Sequence, residues 1–338
     1  MKKTVLLILA LTLTGVVFAE ATLKFVTINV WSGLTHEGAL RSGVYESEDE
    51  RAFRYGLLVN GLRELDADVI SVNEANMLPG YAKRLARDLD YDYVYAVRYA
   101  GVRVGQVGFP VNVREGEVLL AKRHLNLAHV GSRKLTGGYA GNLASFHFGD
   151  TARILAGKIT VGERDVYIFT TRWSASEFAS DLQLRSLVDL FSAGHVDGEE
   201  LLDRVADAVS GYETRLVEAA RSVQYIDEMA GGAPVVLMGT LNSLPDSPEM
   251  QLLYESDLAD AWSAGLGAGY TWDAARNTNI IDYHFDEESH EPPRRDRIDY
   301  ILHSSEGILA RSAAIALDDA TYETHPSDHF ALIAELDF

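Results

Sequence analysis

Apolar residues along this chain fall into short runs of strand length, separated by turn residues and by longer stretches with helical spacing. Residues 23–30 alternate into a first strand, and residues 68–73 (Asp-Val-Ile-Ser-Val-Asn) form a second, apolar enough for burial on both faces. Between them Ser47-Glu48-Asp49-Glu50 reads as a capping box that opens a helix with apolar positions Phe53, Leu57, Leu58, Leu62 and Leu65. Residues 79–89 predict another helix. From Tyr91 to Thr171 strand signals dominate, at 117–120, 125–130, 140–148, 154–161 and 166–171, with turns such as Gly137-Gly138 between several of them. Helical spacing then runs from 178 to 229, interrupted near 194–198 and stopped by Gly231-Gly232. Residues 233–239 predict a buried strand, and further strands follow at 298–303, 311–316 and 330–336. Helices flanking two groups of strands predict an α/β fold, a four-layer α/β/β/α sandwich of two stacked mixed sheets.

The N-terminus reads differently from the rest. Met1-Lys2-Lys3, an uncharged apolar run from Thr4 to Phe18, and small residues at Val17 and Ala19 predict a signal peptide over residues 1–19. The run is too short and too weakly flanked for a membrane span. The expectation is therefore an exported protein, periplasmic or extracellular, with no stable membrane span after cleavage. One domain covers residues 20–338, with a helical elaboration at about 174–230. The chain has no Cys, so neither a lipid anchor at a lipobox nor a disulfide framework is available. A core of this size needs none.

Charge narrows the partners. Asp and Glu number 50 against 30 Lys and Arg, a formal net charge of −20. Such a surface repels polyanions, and no Lys/Arg run marks a nucleic-acid groove. The expected partner is a phosphorylated small molecule or a phospholipid headgroup, bound by a monomer, with nucleic acid disfavoured. A divalent cation and a few local arginines can still make one cleft positive.

Candidate chemistry gathers at strand ends. Asn29 closes the first strand and Glu74 the second; Thr171-Arg172-Trp173 follows a third, and Thr240 and Asn242 follow a fourth. Asp299 sits on a fifth, and Asp328-His329 opens the last. Polar residues clustered at one end of apolar strands usually line a common crevice. An Asp bonded to one imidazole nitrogen sets the tautomer of the ring, and a neighbouring carboxylate offers hard oxygen to Mg²⁺ or Mn²⁺. Singly each residue has an ordinary explanation: turn formation for the asparagines, a surface position for Glu74, an ion pair with Arg297 for Asp299.

Together these motifs resemble the endonuclease/exonuclease/phosphatase superfamily across essentially the whole mature chain. They stand here as Thr-Ile-Asn29-Val-Trp, Asp-Val-Ile-Ser-Val-Asn-Glu74, Ile-Phe-Thr-Thr-Arg172-Trp, Met-Gly-Thr240-Leu-Asn242-Ser, Arg-Ile-Asp299-Tyr and Ser-Asp328-His329. The resemblance implies a Mg²⁺- or Mn²⁺-dependent phosphoesterase, with sphingomyelinase-like and inositol-phosphatase-like features. It implies Asn29, Glu74 and Asp328 at the metal, Asn242 on the phosphoryl group, and His329, steered by Asp299, at the transition state. Two positions depart from the family pattern. Thr240 stands where the family usually has an Asp that prepares the attacking water, and Arg172 stands where many members have His. Arg cannot shuttle protons, but its planar fork binds phosphate oxygens. Two readings stay open: a working hydrolase in which another carboxylate, such as Asp246 or Asp273, activates water, or a phosphate- or headgroup-binding pseudoenzyme. A secreted nuclease is a third. The aromatic stretch Gly269-Tyr270-Thr271-Trp272-Asp273 with Asn277 reads as an anchored turn or a pocket rim. His36 reads as a loop residue, and His284, Asp286, Glu287, Glu288 and His290 as a charged loop.

Overall fold

The computed structural model describes residues 21–34, 45–100, 113–137, 151–175, 188, 191–280, 293–321 and 323–338. The segment 1–19, the predicted strand at 140–148, His36, and the acidic and histidine-rich stretch 284–290 lie outside the described residues.

The first half alternates strand and helix: β1 (Thr22–Asn29), α1 (Glu48–Leu65), β2 (Val69–Asn76), α2 (Gly80–Leu89), β3 (Tyr91–Ala100) and β4 (Arg114–Lys122). Strands β5 (Ala128–Lys134), β6 (Arg153–Val161) and β7 (Arg164–Arg172) follow, then α3 (Gly198–Ala230), β8 (Val235–Thr240) and α4 (Pro248–Glu255). The chain ends with β9 (Leu258–Asp260), β10 (Trp272–Asp273), β11 (Arg295–Asp296), β12 (Asp299–Ser304), β13 (Leu309–Ala316) and β14 (Ala331–Asp337). Two six-stranded sheets result, in the orders β13-β14-β1-β2-β4-β3 and β5-β6-β7-β8-β12-β9. Each is antiparallel except for one central parallel pair, β1 with β2 and β7 with β8. Both sheets are mixed and both are flanked by helices, as the alternation of the sequence predicts.

Three apolar clusters account for the layering. Phe25, Val69 and Leu119 of one sheet meet Leu155, Ile168, Met238 and Ile301 of the other in the middle. On the outer face of the first sheet, Val26, Ile28 and Ile70 pack against Leu58 and Leu62 of α1 and Leu85 of α2. On the outer face of the second, Phe169 and Leu237 pack against Ala219, Tyr225 and Ile226 of α3 and Met250 of α4. Burial on both faces of these central strands explains the apolar run at β8 and the mostly apolar start of β2.

Local signals held where they were chemical. Ser47 and Glu50 form the expected capping box of α1. Phe53, expected to be buried, is 41% exposed; Tyr55 and Val59 turn inward into the apolar cluster instead, and Arg54 turns inward to Glu46. Helix α3 begins at Gly198, where Asp197 caps the amides of Glu199 and Glu200. It lies on the outer face of the second sheet, fastened by Trp173 Nε1 donating to Ser222 Oγ and by an Arg215–Glu249 ion pair to α4.

Candidate active site

The parallel pairs decide where chemistry can occur. β1, β2, β7 and β8 all end at the same edge of the sandwich, and β12 and β14, antiparallel to their neighbours, begin there. Register completes the grouping: Asn29 lies beside Asn73, and Thr240 has Arg172 on one side and Asp299 on the other. Gly239 makes the approach of β7 and β8 possible. Its φ is +135°, and a Cβ there would lie 2.0 Å from the Thr171 carbonyl oxygen. Backbone irregularity collects at the same edge. Trp31, Glu74 and Asn242 all have positive φ, and Glu74 falls in a break of register between β2 and β4, which re-aims its side chain.

A buried polar network ties the sheets together under the site. Ser71 Oγ and Thr170 Oγ1 are 2.6 Å apart. Asn73 donates to the Thr171 carbonyl at 3.3 Å and accepts from the Thr240 amide at 3.1 Å. Asn73 was visible in the sequence only as a strand residue. Its signal was a lone amide inside an apolar run, which burial makes costly unless fully bonded.

Above this network stands a relay of three side chains. Thr240 Oγ1 donates to Asp299 Oδ1 at 2.6 Å, and Asp299 Oδ2 accepts from His329 Nδ1 at 2.7 Å. A carboxylate can only accept here, so Nδ1 carries the proton and Nε2 is the nitrogen left for a substrate. Burial by itself would favour the neutral ring, but the charge and hydrogen bond of Asp299 lift the imidazole to about 8. His329 is therefore a cation at neutral pH. The ring centroids of Trp272 and His329 lie 4.9 Å apart, edge to face, and Thr271 Oγ1 accepts from the amides of Ile298 and Asp299, so the aromatic stretch at 269–273 braces the relay. Arg297, the alternative partner for Asp299, pairs with Asp260 instead.

Across from the relay are the carboxylates. Glu74 Oε1 accepts from Asn29 Nδ2 at 2.9 Å and is 2.7 Å from Arg172 Nε; Oε2 accepts from the Ser32 amide at 3.3 Å. Burial opposes the charge of Glu74, but Arg172, Arg98, Asn29 and His329 together hold its carboxyl at about 2. Asp328 is pushed above the usual carboxylate range: burial raises it, His329 opposes, and the charge of Glu74 raises it further. Behind them Arg98 forms a buried ion pair with Glu115 and lies 3.7 Å from Glu117, whose carboxyl burial pushes up to about 8.

Each expected site residue has a definite place. Thr240 is fully buried and points at Asp299, so it serves as a positioning residue and not as a substitute water-activating group. Asn29 presents a donor to Glu74, and its own oxygen accepts from the Trp31 amide at 3.0 Å. Asn242 donates to the Trp173 carbonyl at 2.8 Å. Neither proposed replacement carboxylate reaches the centre. Asp273 is buried against Arg295 at 2.8 and 3.0 Å, and Asp246 is exposed in a turn.

Among the described residues no group of three or more His, Cys, Asp or Glu is gathered closely enough to cage a metal. Glu74 and Asp328 nonetheless fit a Mg²⁺-type ion, which keeps most of its waters and takes one or two carboxylates plus substrate oxygens. Burial first, and the charge of Glu74 after it, disfavour the ionised form of Asp328, and a bound cation would offset both.

The sequence profile of the Endonuclease/Exonuclease/phosphatase family matches residues 26–329. The chain belongs to this family. Solved structures share the fold at low identity. An endonuclease/exonuclease/phosphatase family protein from Bacteroides thetaiotaomicron is 16% identical with a TM-score of 0.60, covering 95% of this chain and 99% of that one. A humanized D. rerio TDP2 is 15% identical with a TM-score of 0.57, covering 94% and 99%. The human Nocturnin catalytic domain, with bound sulfate anion, is 15% identical with a TM-score of 0.55, covering 94% and 97%. None of the curated proteins compared matches significantly. The fold is thus one of phosphoesterases and nucleases, whose members generally hydrolyse phosphoester bonds and typically use divalent metals.

Proposed function

We propose that this protein is an exported phosphoesterase, dependent on Mg²⁺ or Mn²⁺, that hydrolyses a phosphate mono- or diester of a small molecule or phospholipid headgroup. The observation that carries the reading is the Thr240–Asp299–His329 relay, which holds a protonated imidazole opposite Glu74, Asp328 and Arg172. Glu74 and Asp328 would hold the ion, which neutralises phosphate charge when bound. His329 Nε2 donates to the phosphoryl or leaving oxygen, Arg172 adds fixed positive charge, and Asn242 lines the same edge. Water attacks phosphorus, the ester P–O bond breaks and the departing oxygen takes the His329 proton; the proton shed by the water passes through a phosphoryl oxygen to solvent, which reprotonates His329. A loose phosphoryl-transfer transition state asks for little deprotonation of the water, so the lack of a carboxylate at Thr240 slows this route without closing it.

A second reading, a phosphate- or headgroup-binding pseudoenzyme, is favoured by one observation: Arg172 already pairs with Glu74, so the cation position has a resident guanidinium. A nuclease is disfavoured by the net charge of −20. The mature chain should be assayed on p-nitrophenyl phosphate, bis-p-nitrophenyl phosphate and sphingomyelin with Mg²⁺ or Mn²⁺. Turnover that His329→Ala abolishes supports the hydrolase; metal-independent phosphate binding with no turnover in any assay rejects it.

A further inference from the structure

Next to the candidate active site a second cleft, of about 490 Å³, opens between α1, the start of α2 and the segment after β1. The two share a wall. Trp31 and Ser32 line the cleft while their amides donate to Asn29 Oδ1 and Glu74 Oε2, and Pro326, two residues before Asp328, lines it too.

Among the described residues, three guanidinium groups line this cleft against one carboxylate, Glu48. Arg54 is structural: it is buried, bridged to Glu46, stacked 4.3 Å over Trp31, and donates to the Pro326 carbonyl at 2.8 Å. Arg51 and Arg84 are placed differently. Arg51 lies 4.8 Å over the Tyr45 ring and donates a long 3.4 Å bond to the Glu46 carbonyl. Arg84 lies 3.7 Å over the Tyr55 ring, itself braced edge-on by Tyr81, and its pairing with Asp88 is a loose 3.8 Å surface contact. A guanidinium stacked on an aromatic face is held in plane and aims its N–H donors sideways, the geometry that receives a phosphate or carboxylate. Exposed pairs such as Arg84–Asp88 give way readily to a ligand anion.

We propose that this cleft is a second anion subsite, in which Arg51 and Arg84 receive a distal phosphate or carboxylate of the molecule whose phosphoester lies at His329. The substrate class is then a small, soluble phosphoester carrying a second anionic group; an anionic bilayer is repelled by the acidic surface. The catalytic half of this statement rests on the phosphoesterase reading above, whereas anion binding in the cleft does not.

The test uses α,ω-alkanediol bisphosphates of increasing spacer length beside the matching alkyl monophosphates. One spacer length should lower KM roughly tenfold below its monophosphate, the worth of one or two charge-assisted contacts. The Arg51→Gln/Arg84→Gln double variant should erase that gain and leave kcat on p-nitrophenyl phosphate unchanged. Calorimetric titration of the same bisphosphates into His329→Ala protein, with and without the two arginine changes, reads the subsite independently of turnover. If bisphosphates bind no better than monophosphates, or bind equally with and without the arginines, the subsite does not exist. If arginine-dependent binding appears but no ester is ever turned over, the subsite stands and the phosphoesterase reading falls. Arginine-dependent capture on phosphatidic acid vesicles, with no gain for soluble bisphosphates, overturns the soluble-substrate assignment.

Discussion

Replacing Asp299 with Asn tests the relay at its centre. Asp299 is fully buried and its two oxygens are divided between Thr240 and His329. An amide of the same shape can still accept from Thr240, but it then turns its NH₂ toward His329 Nδ1. That forces the proton onto Nε2 of a neutral ring and removes the charge that favours imidazolium. The lift of the imidazole from 6.5 to about 8 corresponds to about 2 kcal/mol in favour of the charged form. Without it, burial is opposed only by the charges of Asp328 and Glu74, and the ring titrates lower than in the wild type. Since His329 acts as the protonated donor, wild-type kcat should fall as pH rises through about 8, and the Asn variant should show that fall at lower pH. At pH 7 the loss should reach about 10²- to 10⁴-fold, the usual worth of a positioned proton donor. The same change has a stability signature. The folded pKa is raised, so the pair stabilises the fold fully below pH 6.5 and loses this contribution as pH rises through about 8. Asp299→Asn should therefore cost most at pH 6 and least at pH 9 in denaturant titrations. A ring pKa unchanged in the variant, read by histidine NMR, would refute the electrostatic account of His329.

Three further outcomes follow from the same geometry. Thr240→Val leaves a buried carboxylate oxygen without its donor and should cost about 1–3 kcal/mol with a lower kcat; Thr240→Ser should recover both, and Thr240→Asp should destabilise the fold by setting a second carboxylate against Asp299. Arg172→Gln removes the largest electrostatic support of the Glu74 charge, so Mn²⁺ binding, followed by electron paramagnetic resonance, should tighten while phosphate binding weakens; unchanged metal affinity would show that guanidinium and metal do not compete. Glu117, raised to about 8, is neutral in the fold near pH 6 and ionises only at a cost that grows from pH 4.5 to about 8; Glu117→Gln should match wild-type stability at pH 4.5 and exceed it at pH 9, as urea midpoints would report.

The sequence by itself determined the architecture and named the candidate residues of the site. Apolar runs of strand length, alternating with capped helices, leave a two-sheet sandwich as the way to bury them. Asn29, Arg172, Thr240, Asp299 and His329 stood at or just before strand ends, and Glu74 at the break of register within β2. What residues do for one another was another matter. That Thr240 faces Asp299, that Asn29 serves Glu74, and that Arg172 rests on the same carboxylate depend on register between strands far apart in the chain. Asn73 looked ordinary until the other sheet arrived to bond it, and Asp273 looked available until β11 brought Arg295 beside it. A hydrogen bond is directional and short-ranged, so its partner is chosen by the packed fold; hydrophobic periodicity, which needs only a buried side and an exposed side, can be read along the chain.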